Sequence, residues 1–327
     1  MEQNKSNPDE QRIQSVIDRV TEELRRTGLL KSSPGQVKAT LNKSNPTKIV
    51  HVKTSTQAEG VDTICIDLQD PTTLDSRSRS GIANPASAEV LGGLMGSTPA
   101  RIGVGRAGAR YRTATWLLFQ ADHAVTQDAL LREVDVHLLE RLGFFSVQTR
   151  VSGGKQEYLL RPDLGRQLNE EAIQVIRKRC VQKPDIQICA GDGLSAAAIE
   201  ANLEKIYPVM LDGFQSAGLK VGTPFFIRFC RVGVMNDIGD VLQPDVLILL
   251  IGERPGLGRA ESMSAYMAYQ PHTGHSDANR DVICNIYDTG GTNPLEGGAY
   301  VVQMAKRMLA NRVSGVQLRL AESAKEK

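Results

Sequence analysis

Net charge is nearly absent from this chain: 39 Lys and Arg against 37 Asp and Glu leave +2 over 327 residues. That balance gives no general case for a nucleic-acid partner. No apolar run nears the roughly 20 residues that a membrane helix needs, so no membrane role is expected. No secretory signal opens the chain, because Met1 to Glu10 is polar and acidic. The five cysteines (Cys65, Cys180, Cys189, Cys230 and Cys284) are odd in number, scattered and without a CxxC. Such usage fits reduced thiols in a cytoplasmic compartment. The five histidines form no close set with the cysteines, so no metal site is expected. No internal repeat is evident. What is present is ordinary globular material, 41% hydrophobic and 23% charged, long enough for two domains.

The richest stretch runs from Asp245 to Ser262. Asp245-Val-Leu-Ile-Leu-Leu-Ile251 carries no charge after its first residue, the pattern of a strand covered on both faces in a parallel sheet. It breaks into Gly252-Glu-Arg-Pro-Gly-Leu-Gly258, and a helix is expected next, over Arg259 to Tyr269. A loop after such a strand lies at the carboxyl edge, where open α/β sheets bind ligands. The three glycines are expected to let a ligand approach the backbone. Glu253 is a carboxylate at that mouth.

Along the chain, residues 1–30 hold an amphipathic helix, with Ile13, Val16, Ile17, Val20 and Leu24 on one stripe. It acts either as a docking peptide or as a helix folded back onto the domain. Residues 31–97 are rich in Ser, Thr, Pro, Lys and Asn and read mostly as flexible linker, with a short strand at Val61 to Leu68. Residues 98–183 read as a mainly helical domain. It includes Thr113 to Leu131 and a helix with Pro162 just inside its start, ending near Cys180. From Pro184 strands and helices alternate: strands at Ile186 to Ala190, Phe225 to Cys230, Asp245 to Ile251 and Val282 to Ile286, and helices at Ser195 to Ile206 and Leu295 to Asn311. The expected fold is therefore α/β, with a doubly wound, mostly parallel sheet over 184–318 and a polar tail at 319–327.

The chemical motifs are mostly weak. Gly103-Val-Gly-Arg-Ala-Gly108 matches G-x-G-x-x-G, but only Ala100-Arg-Ile precedes it and Asp122 lies in a helix pattern. A dinucleotide site is the minor reading there. Arg101, Arg106, Arg110 and Arg112 crowd the same loop and favour an interface or an anion over a merely solvated turn. Asp122-His123 reads as structural hydrogen bonding before acid–base chemistry. Asp192-Gly-Leu-Ser195 is not a nucleophile elbow, and Ser195 fits a helix N-cap. Asp192, Arg231 to Gly233 and Asp288 to Pro294 are expected beside Glu253 on one sheet edge. No Ser-His-Asp order or phosphate loop emerges, so the platform reads as holding a ligand without doing acid–base chemistry itself.

These segments resemble the small (light) subunit of ethanolamine ammonia-lyase. The resemblance rests on Gly105-Arg-Ala-Gly-Ala-Arg-Tyr-Arg-Thr113, Phe119-Gln-Ala-Asp-His123, Tyr158-Leu-Leu-Arg-Pro-Asp-Leu-Gly-Arg166 and Asp192-Gly-Leu-Ser195. Gly218-Leu-Lys-Val-Gly-Thr-Pro-Phe-Phe226, Gly252-Glu-Arg-Pro-Gly-Leu-Gly258 and Ala305-Lys-Arg-Met-Leu309 complete it, in order over about two thirds of the chain. The resemblance implies a Rossmann-like domain that covers adenosylcobalamin where it meets a large catalytic subunit. The assembly would be a higher hetero-oligomer that converts ethanolamine to acetaldehyde and ammonia by radical chemistry, with ethanolamine held mainly by the large subunit. The cofactor carries the hard chemistry. Family cofactor contacts carry over to Val232 and Glu253, with no catalytic residue and no metal ligand in this chain. A third family contact, a cysteine, falls on Val282, with Cys284 two residues on. No Asp-x-His-x-x-Gly occurs, so the cobalamin is expected to keep its own base. Residues 1–30 resemble the peptides that direct enzymes into bacterial microcompartments. Two rivals stay open: an NAD-dependent oxidoreductase using the Gly103 to Gly108 loop, and a non-catalytic scaffold.

Overall fold

The computed structural model of the protein describes residues 79–98, 100–257, 259–288 and 290–325. All lie in one unit that begins at Asp67. The expected helix within 1–30, residues 31–78 of the linker expected over 31–97, and the strand at Val61 to Leu68 fall outside the described residues.

The first described elements are α1 (Ala88–Gly96), the hairpin β1 (Arg106–Ala107) and β2 (Arg110–Tyr111), α2 (Thr113–Leu131) and α3 (Val136–Arg141). Then come β3 (Phe145–Gln148), α4 (Gly154–Leu160), a 3-10 turn (Leu164–Arg166) and α5 (Glu170–Arg179). The remainder is β4 (Ile186–Gly191), α6 (Ala196–Ser216), β5 (Phe225–Arg228), α7 (Val234–Leu242), β6 (Val246–Gly252), β7 (Met263–Tyr269), a second 3-10 turn (Asp277–Asn279), β8 (Asp281–Ile286), α8 (Pro294–Asn311) and α9 (Val316–Lys325).

Six strands make one sheet in the order β3-β5-β4-β6-β7-β8. The first four run parallel. β7 is antiparallel to β6, and β8 is antiparallel to β7. β8 therefore points the same way as β6, and the carboxyl ends of β3, β5, β4, β6 and β8 share one edge. Every residue of β4 and β6 is buried, as the apolar run of β6 predicts. Ile188, Ile248 and Met267 face a core built with α6 and α8. Cys189, Leu247 and Leu249 face a second core built with α5 and α7. The chain is thus the expected mixed α/β fold with a mostly parallel sheet. No helix among the described residues is long and apolar enough to cross a membrane.

Several expectations need correction. The helix placed at Arg259 to Tyr269 is the strand β7, paired with β6 along its whole length. Met and Ala favour helices by at most about 0.7 kcal/mol per residue over the other residues there. Burying a side chain such as Met263 or Met267 is worth roughly 1.5–3 kcal/mol, so the sheet wins. The helix beginning near Pro162 starts instead at Glu170, where the Asn169 side chain accepts from the Ala172 amide at 2.7 Å. α6 runs ten residues beyond Ile206, past Pro208, because Tyr207, Met210 and Phe214 continue its buried stripe. The stretch up to 97, expected as linker, holds α1, capped by Ser87. The sheet also begins before Pro184, since β3 pairs with β5.

Candidate functional site

The site is assembled where β4, β5 and β6 end. Leu194 N donates to Gly252 O at 3.1 Å, so the loops after β4 and β6 are laid backbone on backbone. Gly193 has φ +54°, and a Cβ there would stand 2.2 Å from Gly252 O. Gly252 in turn faces Ser195 O, 2.1 Å from where its Cβ would be. The glycine at the end of β6 is therefore spent on this close approach, not left open to a ligand as the sequence suggested.

Glu253 follows at once. One carboxylate oxygen accepts from Ser264 Oγ at 2.5 Å and from Asn285 N at 2.8 Å, and the other from Ser262 Oγ at 2.6 Å. Its amide donates to Ser262 O at 3.0 Å. Glu253 thus ties together the ends of β6, β7 and β8, and β7 takes the place of the helix it was expected to precede. A carboxylate has about four acceptor positions, so one remains for an external donor.

Val232 lies in the turn from β5 into α7. Arg231 N donates to Gly165 O at 2.8 Å and Met235 N to Val232 O at 3.1 Å, which fixes that turn. Val232 and Glu253 line one cavity of about 210 Å³, with Tyr158, Leu194, Arg231 and Tyr266. A second cavity of about 600 Å³ adjoins it, since Arg231, Val232 and Tyr266 line both. Tyr266 pairs with Val282, which is 46% exposed, and Cys284 on the same strand is exposed as well. The cleft therefore continues onto a sheet face that presents Tyr266 and Val282.

Other sequence candidates sit differently. Asp192, expected to line the crevice, is buried and accepts from Phe229 N at 3.0 Å, Cys230 N at 2.8 Å and Lys155 Nζ at 3.0 Å. It closes the gap between β4 and β5. Tyr158, buried beside it, donates to Cys230 O at 2.7 Å, and burial together with the Asp192 charge holds its phenol above the usual range. Ser195 caps α6, accepting from Ala198 N at 3.2 Å and donating to Ala260 O. Burial pushes the thiols of Cys189 and Cys230 well up and that of Cys180 to about 11, so these are packing groups. Arg231 lines both cavities, on the edge where the sequence placed it, whereas Tyr266, His275 and Arg280 were missed as cavity residues. Nothing in their spacing announces them, because the β7–β8 connection brings the last two back to the β5 turn.

The G-x-G-x-x-G segment is the β1–β2 hairpin, with Gly108 at φ +62° in its turn. Among the described residues before Gly103 there is α1 but no strand, so the context for a dinucleotide site is missing. Asp122 is buried and pairs with Arg101, while His123 is exposed. Arg106 stacks on Tyr111 at 4.4 Å.

The family model for the ethanolamine ammonia-lyase light chain (EutC) matches residues 88–319. A Clostridium perfringens protein named ethanolamine ammonia-lyase small subunit is 44% identical over 252 residues, 77% of this chain and 85% of that one. A Clostridium acetobutylicum protein of the same name is 48% identical over 232 residues, 71% of this chain and 95% of that one. Over such a length and at such identity, the chain belongs to the family of ethanolamine ammonia-lyase small subunits.

Proposed function

We propose that this chain holds adenosylcobalamin against a large subunit that binds ethanolamine, within a hetero-oligomer that forms acetaldehyde and ammonia. The observation that carries this is the meeting of Val232 and Glu253 in one cleft that opens onto the Tyr266–Val282 face. A corrinoid is broad and edged with amides. Its amide N–H groups suit the spare acceptor position of Glu253, and its apolar surface suits Val232, Tyr266 and Val282. When bound, it supplies a cobalt–carbon bond that breaks homolytically. The chain's own residues bind and orient: of the carboxylates that line the cleft, Glu253 accepts from two hydroxyls and an amide, and Asp237 from an amide. We read β4 to β6 as a Rossmann-like unit, and the missing Asp-x-His-x-x-Gly supports a cofactor that keeps its own base.

The large subunit is also supported by α2, a 19-residue helix that buries only Asp122 and Ala129. Trp116 and Leu117 stand 52% and 53% exposed beside a hairpin carrying Arg106 and Arg110. Residues 1–30 we read as a peptide for docking to a microcompartment shell in a cytoplasmic setting.

The test is to assay the purified chain with adenosylcobalamin and ethanolamine, with and without the large subunit encoded in the same genome. We expect turnover only from the assembled pair. Turnover by the isolated chain, or an assembled pair that takes up no corrinoid by visible absorbance, would overturn this reading.

A further inference from the structure

α2 buries Asp122 and Ala129, and Thr126 between them is half-buried. These three stand at i, i+4 and i+7, one stripe of the helix. A stripe that packs against a domain is ordinarily apolar; this one opens with a carboxylate and a hydroxyl. Burying a charge costs more than burying a methyl group, and a buried ion pair rarely stabilises more than an apolar replacement does. What such a stripe supplies is direction, since a hydrogen bond fixes the place of its acceptor.

The acceptors lie on the loop between β6 and β7. Arg101, paired with Asp122 and 4.9 Å from the Phe119 ring, donates to Leu257 O at 3.2 Å. Thr126 Oγ1 stands 3.0 Å from Gly256 O and 3.0 Å from Asp122 O, so its one proton is shared. Two consecutive carbonyls at the tip of the loop are thus held from α2. The base of the loop is held elsewhere. Glu253 N donates to Ser262 O at 3.0 Å, and Asn202 Nδ2 to Glu261 O at 2.8 Å. The chain just past α2 is anchored as well: Arg132 pairs with Glu200 of α6 at 2.6 Å, and Glu133 with Arg228 of β5 at 2.6 Å.

Arg254 and the buried Pro255 join base to tip. Proline fixes its own φ and keeps the residue before it extended, so this link is stiff. Arg254 lines the cavity of about 210 Å³ beside Glu253. Glu253 is clamped by the three hydrogen bonds that it accepts. We infer that Arg101 and Thr126 are positioning residues that act from outside the cleft. They hold the tip of the loop and, through Pro255, set where Arg254 stands on the cleft wall. Asp122 serves by holding Arg101. This rests on the function proposed above.

The experiment uses the full chain assembled with its large subunit. The paired change Arg101→Met with Asp122→Leu removes both charges together and strands neither. Thr126→Val removes the hydroxyl and keeps the shape, and Thr126→Ser restores the hydroxyl. Two quantities are read. One is hydrogen exchange of the Arg259 amide, which donates to Gly256 O at 3.1 Å; the other is corrinoid affinity by visible absorbance. The paired change should speed that exchange and weaken affinity by about tenfold each, as for a charged donor. Thr126→Val should change both by about threefold, as for a shared neutral bond, and Thr126→Ser should match wild type. A role in stability alone would lower the melting temperature and leave the affinity of the assembled pair unchanged, which overturns the inference. Unchanged Arg259 exchange overturns it too, since α2 would then not hold the loop. If the paired change does not assemble, Thr126→Val and Thr126→Ser decide by the same readings. If wild type binds no corrinoid, the proposed function falls, and Arg259 exchange still decides whether α2 holds the tip.

Discussion

At the residue scale, Glu253 joins structure to the proposed function. Its three accepted hydrogen bonds come from Ser262, Ser264 and Asn285, and Ser264 is buried. Glu253→Ala strands that hydroxyl and should cost about 1–3 kcal/mol, so the melting temperature should fall as well as corrinoid affinity. Glu253→Gln keeps the shape but half the acceptor capacity: its carbonyl oxygen can still take Ser264 and Asn285, and its NH2 can donate to Ser262 Oγ. We expect it to lower the melting temperature less than Glu253→Ala while weakening corrinoid binding by about tenfold, since the spare acceptor position becomes a donor. Equal affinity for Glu253→Gln and wild type, titrated in the assembled complex, would make Glu253 a purely structural clamp. His275 gives a pH signature. Burial first, then His272 and Arg280, lower its pKa below 6.5. A group with a lowered basic pKa binds fewer protons folded than unfolded, so stability is lost as pH falls below about 6.5. Urea titrations at pH 7.5 and 5.5 should show that loss for wild type, and a smaller one for His275→Gln. Val232 and Glu253 were legible because they follow recognisable strand ends. Arg280 was not, because the connection between β7 and β8 brings it back to the β5 turn, and no residue spacing encodes that return.

At the element scale, legibility followed how much each segment decides for itself. β6 is wholly apolar and β4 is so except for the buried Gln187, so a doubly covered strand suits both. α5 carries Glu170 and Glu171 in its first turn and Arg177, Lys178 and Arg179 in its last, matching the helix dipole. Its start was still misjudged, because Pro162 resembled a helix opening and Asn169 supplied the real cap. β7 decides almost nothing alone: Met-Ser-Ala-Tyr-Met-Ala-Tyr becomes a strand through pairing with β6. β3 is four residues long and owes its place to β5. The Gly193–Gly252 contact belongs to this scale too, because it fixes the separation of two loops. In Gly252→Ala the added methyl would meet Ser195 O at 2.1 Å and Asp192 O at 2.6 Å, both backbone atoms that no rotamer change relieves. Overpacking typically costs about 1–3 kcal/mol, and this case should reach or exceed the upper end. Gly256→Ala, with open space around its Cβ position, is the control. Chemical denaturation should separate the two by at least about 2 kcal/mol, and similar midpoints would mean that the loops part easily.

At the scale of the whole molecule, the order of motifs carried the family, and the parallel set β4, β5 and β6 followed from strand and helix alternation, whereas the antiparallel β7 did not. What did not follow was where the sheet begins, since that depends on β3, far from β5 in sequence. The N-terminal segment stands apart from all of this. The family match begins at residue 88, and 232 aligned residues already account for 95% of the Clostridium acetobutylicum relative. Little of that relative remains to correspond to the first 87 residues, so family chemistry does not demand them. The sequence nevertheless places Ile13, Val16, Ile17, Val20 and Leu24 at helical spacing, the arrangement of a helix that docks in a groove. A membrane surface suits it less, because Asp18, Glu22 and Glu23 are mixed with Arg19, Arg25 and Arg26. Deleting residues 1 to 30 should therefore leave corrinoid binding and turnover of the assembled pair within about twofold of wild type, a difference of under half a kcal/mol. The same deletion should abolish co-purification with shell proteins in a host that makes a shell. A single point change, Val16→Asp, should act like the deletion if the apolar stripe is the anchor, since a charge at its centre opposes burial in any groove. If the shortened chain fails to assemble with the large subunit, the segment belongs to the enzyme and the docking reading falls.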